Sequence, residues 1–130
     1  MTSQKSIRNR IIEYAQQKYG TTPEYLWARY PEYAVLRRAD NRKWYGVIMN
    51  VSRGRLGLGG DGIVDVLNVK CPVGLYELVR NNVNGILRGY HMGGTWVSVL
   101  LDGTVEISQV IALLDTSYTT VQSSKRSRSV

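Results

Sequence analysis

The stretch from Ser52 to Gly62 reads S-R-G-R-L-G-L-G-G-D-G and contains G-x-G-x-x-G at Gly57, Gly59 and Gly62. That spacing cradles a dinucleotide pyrophosphate when the loop leaves a strand and enters a helix, whose first N–H groups face the phosphates. Here Gly62 is followed by I-V-D-V-L-N-V, β-branched and alternating, which predicts a strand where the fingerprint needs a helix. The loop is therefore expected to be a long, flexible hairpin tip whose glycines supply positive φ. Arg53 and Arg55 at its base suggest another use, a wing that lies along a phosphate backbone.

A second basic hairpin lies upstream. R-R-A-D-N-R-K-W-Y places Arg37, Arg38, Arg42 and Lys43 around a turn at Asp40-Asn41, with Trp44 and Tyr45 after them. Cations interleaved with aromatics suit backbone neutralisation plus base stacking. Arg37 and Arg38 point to opposite faces of one strand, so only part of the set can converge. With Lys70, these residues and the two loop arginines form the candidate nucleic-acid surface.

Other chemistry is sparse. Cys71 and His91 are the single cysteine and single histidine. A thiol near a helix N-terminus can be acidic, but no third residue or oxyanion hole accompanies this pair. A small core residue is the expected role of Cys71. Asp65, Asp102 and Asp115 show no metal-ligand spacing, so neither metal nor cofactor is expected, and no enzymatic activity. H-M-G-G-T-W, His91 to Trp96, is a turn that could also face a ligand. A polar pocket near Lys70, His91 and Trp96 is the alternative site, for a small ligand or a protein partner.

The elements that must hold these residues follow from periodicity. Residues 4–19 predict a helix, with Ile7, Ile11, Tyr14 and Ala15 on one face, Ser3 as cap and Gly20 as stop. A connector bounded by prolines, T-T-P-E-Y-L-W-A-R-Y-P, leads to strands at 34–39 and 43–51. In the second strand, Tyr45, Val47, Met49 and Val51 form an apolar face opposite Trp44, Ile48 and Asn50. A third strand covers 63–71, and Pro72 opens a helix over 73–82 that buries Leu75, Leu78 and Val79. A fourth strand covers 96–101. A final helix, 105–118, aligns Ile107, Val110, Ile111, Leu114 and Tyr118. The expected fold is α+β, an antiparallel sheet of about four strands with three helices on one face, in the order α-β-β-β-α-β-α.

A chain of 130 residues, 43% hydrophobic, supports one domain, expected over 1–120, with a basic, disordered tail over 121–130. The net charge is +7. Lys125, Arg126 and Arg128 lie in the tail, leaving 14 basic against 10 acidic residues, or +4, on the body. That charge is compatible with nucleic acid without requiring it. No apolar run approaches the ~20 residues of a membrane span, and the first residues lack a secretory h-region. With the lone cysteine, this predicts a cytoplasmic protein away from membranes.

Four segments together resemble the MmcQ/YjbR-like family: Y-P-E-Y-A-V-L-R-R-A-D-N-R-K-W-Y-G-V-I, V-D-V-L-N-V-K-C, H-M-G-G-T-W-V-S-V-L-L-D-G-T-V and A-L-L-D-T-S-Y, spread over residues 30–118. The resemblance implies a compact domain similar to the CyaY (bacterial frataxin) fold, also described as a double-wing DNA-binding domain. It brings no catalytic residues, and fold alone does not establish function. Only His91 and Trp96 carry over from the family's polar motif. Gly93-Gly94-Thr95 replaces an expected Asn-Lys-x-His and is one residue shorter. The iron handling that a frataxin likeness suggests needs an acidic first helix, whereas this one has Lys5, Arg8, Arg10 and Lys18 against Glu13.

Overall fold

The computed structural model describes residues 6–122. Ser3, Lys5 and the charged tail residues lie outside the described residues. Helix α1, Ile7–Tyr19, is capped by Ser6, whose Oγ accepts the Asn9 N–H at 3.1 Å. It stops at Gly20, in the left-handed region at φ 68°, as a C-terminal glycine should. Strands β1 (Ala34–Arg37), β2 (Trp44–Ser52) and β3 (Ile63–Lys70) follow. Helix α2 (Val73–Asn82), strands β4 (Ile86–Arg88) and β5 (Trp96–Leu100), and helix α3 (Ile107–Thr120) complete the chain.

The sheet is antiparallel throughout, in the order β1-β2-β3-β5-β4. The fold is the expected α+β arrangement with a fifth strand added. β4 is three residues long, too short for period-two alternation to declare itself, and it exists because β5 offers an edge.

All three helices cover one face. Ile11 and Ala15 of α1, Val79 of α2, and Val110 and Leu114 of α3 pack there on Leu36, Ile48, Leu67 and Val97. α2 turns otherwise than its pattern predicts: Leu78 is 59% exposed, while Leu75 and Tyr76 lean on the core beside Val79. Val121, expected in the tail, is buried in this core, and its carbonyl accepts from Asn41 at 2.9 Å.

Tyr45 also departs from strict alternation. The β1–β2 register pairs Leu36 with Gly46 and Arg37 with Trp44, so Tyr45 is the extra residue of a bulge. The slip carries its ring to the helical face, edge-on to Tyr19 and Tyr118, and moves Trp44 to the face of Val47, Met49 and Val51. Buried Ser117 of α3 secures the bulge. Its hydroxyl donates to the Tyr45 carbonyl at 2.7 Å and accepts the Lys70 N–H at 2.9 Å.

Among the described residues, no α-helix packs on the opposite face. A second core of Val35, Val47, Met49, Val66 and Leu100 is covered by loop residues, among them Trp27, Leu56, Leu58, Tyr90 and Met92.

Candidate functional site

The helix-free face is built over by three separate segments. The connector from α1 to β1 is tied to the sheet by Glu24, which exchanges both backbone hydrogen bonds with Val35 at 3.0 and 2.8 Å. The chain beyond it lays down an aromatic floor. Trp27 meets Tyr33 edge-on at 5.6 Å and Trp44 at 5.9 Å, and Tyr30 stacks on Tyr33 at 4.8 Å.

The β4–β5 hairpin forms a second wall. Its position is set by a buried polar relay in the middle of the sheet. The Tyr90 N–H donates to Ser98 Oγ at 2.8 Å, Ser98 donates to Asn68 Oδ1 at 2.5 Å, and Asn68 Nδ2 donates to the Val47 carbonyl at 3.3 Å. His91, next in the chain, has φ 59°, a backbone conformation that a non-glycine residue adopts rarely and that clusters at binding sites. Its ring lies 4.1 Å from that of Tyr90.

The 3-10 turn Arg53–Leu56, at the start of the glycine loop, supplies the third wall. Together the three segments enclose a cleft of about 340 Å³, lined by Trp27, Tyr30, Tyr33, Trp44, Met49, Arg55, Tyr90, His91 and Met92. Arg55 and Tyr90 also line two adjoining hollows, one reaching Arg88 and the other Ile63. No carboxylate lines the cleft, and Arg55 has no carboxylate partner among the described residues. The Tyr90 hydroxyl beside Arg55 raises the guanidinium pKa above its ordinary value. Burial, with the Tyr90 and Tyr30 phenols nearby, pushes the Tyr33 phenol up as well, so it is a neutral hydroxyl at physiological pH.

In the basic hairpins some cations are held by partners within the fold and others are exposed. Arg37 forms a two-point ion pair with Glu24 at 3.0 and 3.1 Å and donates to the Arg42 carbonyl at 3.2 Å. Arg38, its side chain 11% exposed, pairs with Asp40 at 2.7 Å, donates to the Tyr118 carbonyl and lies 4.0 Å above the Tyr118 ring. Arg53 is turned into its own loop, donating to the Gly59 carbonyl at 2.7 Å and lying 3.7 Å from Asp102. Arg42 and Lys43 are exposed at the β1–β2 turn, Arg42 with a loose contact to Glu24 at 3.8 Å.

The glycine loop takes the positive φ values expected of it at Gly57, Gly60 and Gly62. It folds back, with Leu56 and Leu58 on the sheet, rather than projecting as a free tip.

Lys70 and Trp96 are cross-strand partners at the end of the β3–β5 ladder, and neither lines the cleft. Of the three residues expected in a polar pocket, only His91 reaches it. Cys71 faces the other way, into the helical core, where burial pushes its thiol up to about 11 and leaves no thiolate to react. No group of three or more His, Cys, Asp or Glu among the described residues is placed to hold a metal, and none of their helices is long and apolar enough to cross a membrane.

Sequence reasoning missed Trp27, Tyr30, Tyr33, Tyr90 and Met92. The signal was the connector's own composition, since Tyr25, Trp27 and Tyr30 in one loop exceed what a solvated linker needs.

A five-stranded antiparallel sheet with helices on one face and a loop-built aromatic cleft on the other defines the class of this domain. The sequence model of the YjbR family matches residues 16–120, and the chain belongs to that family. The uncharacterised protein YyaQ of Bacillus subtilis (strain 168) is 45% identical over 112 residues, which cover 85% of this chain and 94% of YyaQ. A crystal structure of a Pseudomonas syringae protein superposes with a TM-score of 0.84 at 36% identity, covering 88% of this chain and 98% of that one. A Deinococcus radiodurans protein with the DUF419 domain shares the fold at a TM-score of 0.65 and 20% identity, covering 91% and 78% of the two chains.

Proposed function

We propose that the protein is a small, non-enzymatic binding module that takes an aromatic small molecule in the cleft on the helix-free face of its sheet. One observation carries this reading: three loops distant in sequence converge four aromatic rings, a left-handed histidine and an arginine without a carboxylate partner on one concavity. Such a cleft, mostly apolar with few polar groups, has the make-up of a ligand site. The lone cysteine, Cys71, is buried in the helical core away from the cleft, so the cleft offers rings and hydrogen-bonding groups rather than a thiol.

Binding of nucleic acid is the second reading, favoured by the net charge of +7 and the exposed Arg42 and Lys43. Against it, Arg37, Arg38 and Arg53 already have partners within the fold, so phosphate would have to displace them.

Thermal-shift measurements with a panel of flat aromatic compounds, beside anisotropy with a short duplex at ~50 mM salt, separate the two. Native protein should be stabilised by members of the panel, and Trp27→Ala should lose that response. Salt-dependent duplex binding that Trp27→Ala leaves intact, without any response to the panel, would overturn the ligand reading.

A further inference from the structure

The cleft's electrostatics narrow its ligand beyond "aromatic". This step rests on the binding role proposed above. A cation with no carboxylate partner among the described residues, at the rim of a cleft that no carboxylate lines, favours a negative partner, because the guanidinium has no carboxylate to be taken from there. Arg53, two residues away, shows the contrast: it contacts Asp102 and is anchored on the Gly59 carbonyl. Arg55 instead leans on the Tyr90 phenol, and the Tyr33 and Tyr30 phenols stand close to it. Beyond Arg55 the adjoining hollow is bordered by Arg88 and by no carboxylate, so the ground past the rim carries a second cation.

We propose that the cleft binds a flat aromatic ring bearing one anionic group, with the ring against Trp27 and Trp44 and the anion on Arg55 at the rim. Carboxylate, sulfonate and phosphate monoester share that chemistry. The size agrees: about 340 Å³ lies at the small end of ligand sites and suits one or two fused rings, not a long chain. Arg55 donates its planar fork to the anion, and the phenols of Tyr90 and Tyr33 can donate at its flanks.

The test compares two near-isosteric molecules, the anionic indole-3-carboxylate and the neutral indole-3-carboxamide, by calorimetry on native protein, Arg55→Gln and Trp27→Ala. The acid should bind native protein about ten-fold more tightly than the amide, the worth of one charge-assisted contact. Arg55→Gln should erase that preference, bringing acid and amide to the same affinity, and Trp27→Ala should weaken both. Equal binding of acid and amide to native protein, or an acid preference that survives Arg55→Gln, overturns the assignment of the anion to Arg55. If the amide alone binds, and Trp27→Ala abolishes it, the aromatic cleft stands and only the ligand's charge is wrong. Failure of both molecules to bind counts against both readings.

Discussion

The two faces of the sheet handle polar groups in opposite ways. On the helical face, polar side chains are used up in holding elements together. Asp115 of α3 accepts hydrogen bonds from Tyr14 at 2.7 Å and Tyr19 at 2.5 Å, with Lys18 3.4 Å away. Tyr19 stacks on Tyr118 at 3.7 Å, and Arg38 closes the stack from above. On the other face, Tyr30 stays 48% exposed, His91 keeps a left-handed backbone and Arg55 has no carboxylate partner among the described residues. One face is finished by its own chain. The other presents rings and a cation that nothing in the described residues covers, which is why the binding role is proposed there.

The comparison breaks most easily at Tyr45. Its ring is fully buried among Tyr19 and Tyr118, and its hydroxyl lies 2.5 Å from Thr21 Oγ1. Tyr45→Ala should cost about 3–5 kcal/mol in denaturant unfolding, the usual loss for a buried aromatic. A loss under about 1 kcal/mol would mean that this core is looser than its geometry.

Ser98→Ala touches both faces' logic at once. It orphans Asn68 Oδ1 and the Tyr90 N–H, so a loss of about 1–3 kcal/mol is expected, with displaced amide resonances at Tyr90 and His91. Unmoved hairpin resonances would detach the relay from the cleft.

Asp115 gives a pH signature. Burial works against its charge, but the hydrogen bonds from Tyr19, Tyr14 and Lys18 outweigh it and hold the carboxyl below its ordinary value. A depressed folded-state pKa adds stability above the unfolded value of about 3.9, and that stability is lost as pH falls through the folded value. Asp115→Asn should therefore reduce stability near neutral pH, and the difference from native should shrink below about pH 4. Partial exposure keeps the effect under about 1 kcal/mol. A difference that grows on acidification would reverse the sign of the linkage.

Arg55→Gln is the smallest change: stability should shift by less than about 0.5 kcal/mol, since the side chain is exposed at the rim. A larger loss would make Arg55 a structural residue like Arg38.

Much of this fold is legible in the sequence because local signals agree with it. Gly20 stops α1, Pro72 precedes α2, and the strand after the glycine loop defeats the pyrophosphate fingerprint. What escapes is set by tertiary context. Alternation places Tyr45 with Val47, and only the bulge opposite Leu36 and Arg37 moves it to the other face. Ser117 looks like a break in the apolar stripe of α3, yet it is buried because the bulged backbone needs its hydroxyl. The basic hairpins look available because a sequence lists cations without their partners. Glu24, Asp40 and Asp102 are 13, 2 and 49 positions from the arginines they meet, and only the Asp40 pairing is local enough to guess. The cleft draws on the connector, the 3-10 turn and the β4–β5 hairpin, so no single window could show it.

The central claim is that ligand binding belongs to the helix-free face. The most direct measurement is a ¹H–¹⁵N NMR titration of the native protein with indole-3-carboxylate, following the three tryptophan indole N–H signals. Trp27 and Trp44 should move together with the amides of Tyr90 and His91, while Trp96 stays still. Signals that stay fixed at Trp27 and Trp44, or shifts confined to the helical face, would contradict the account.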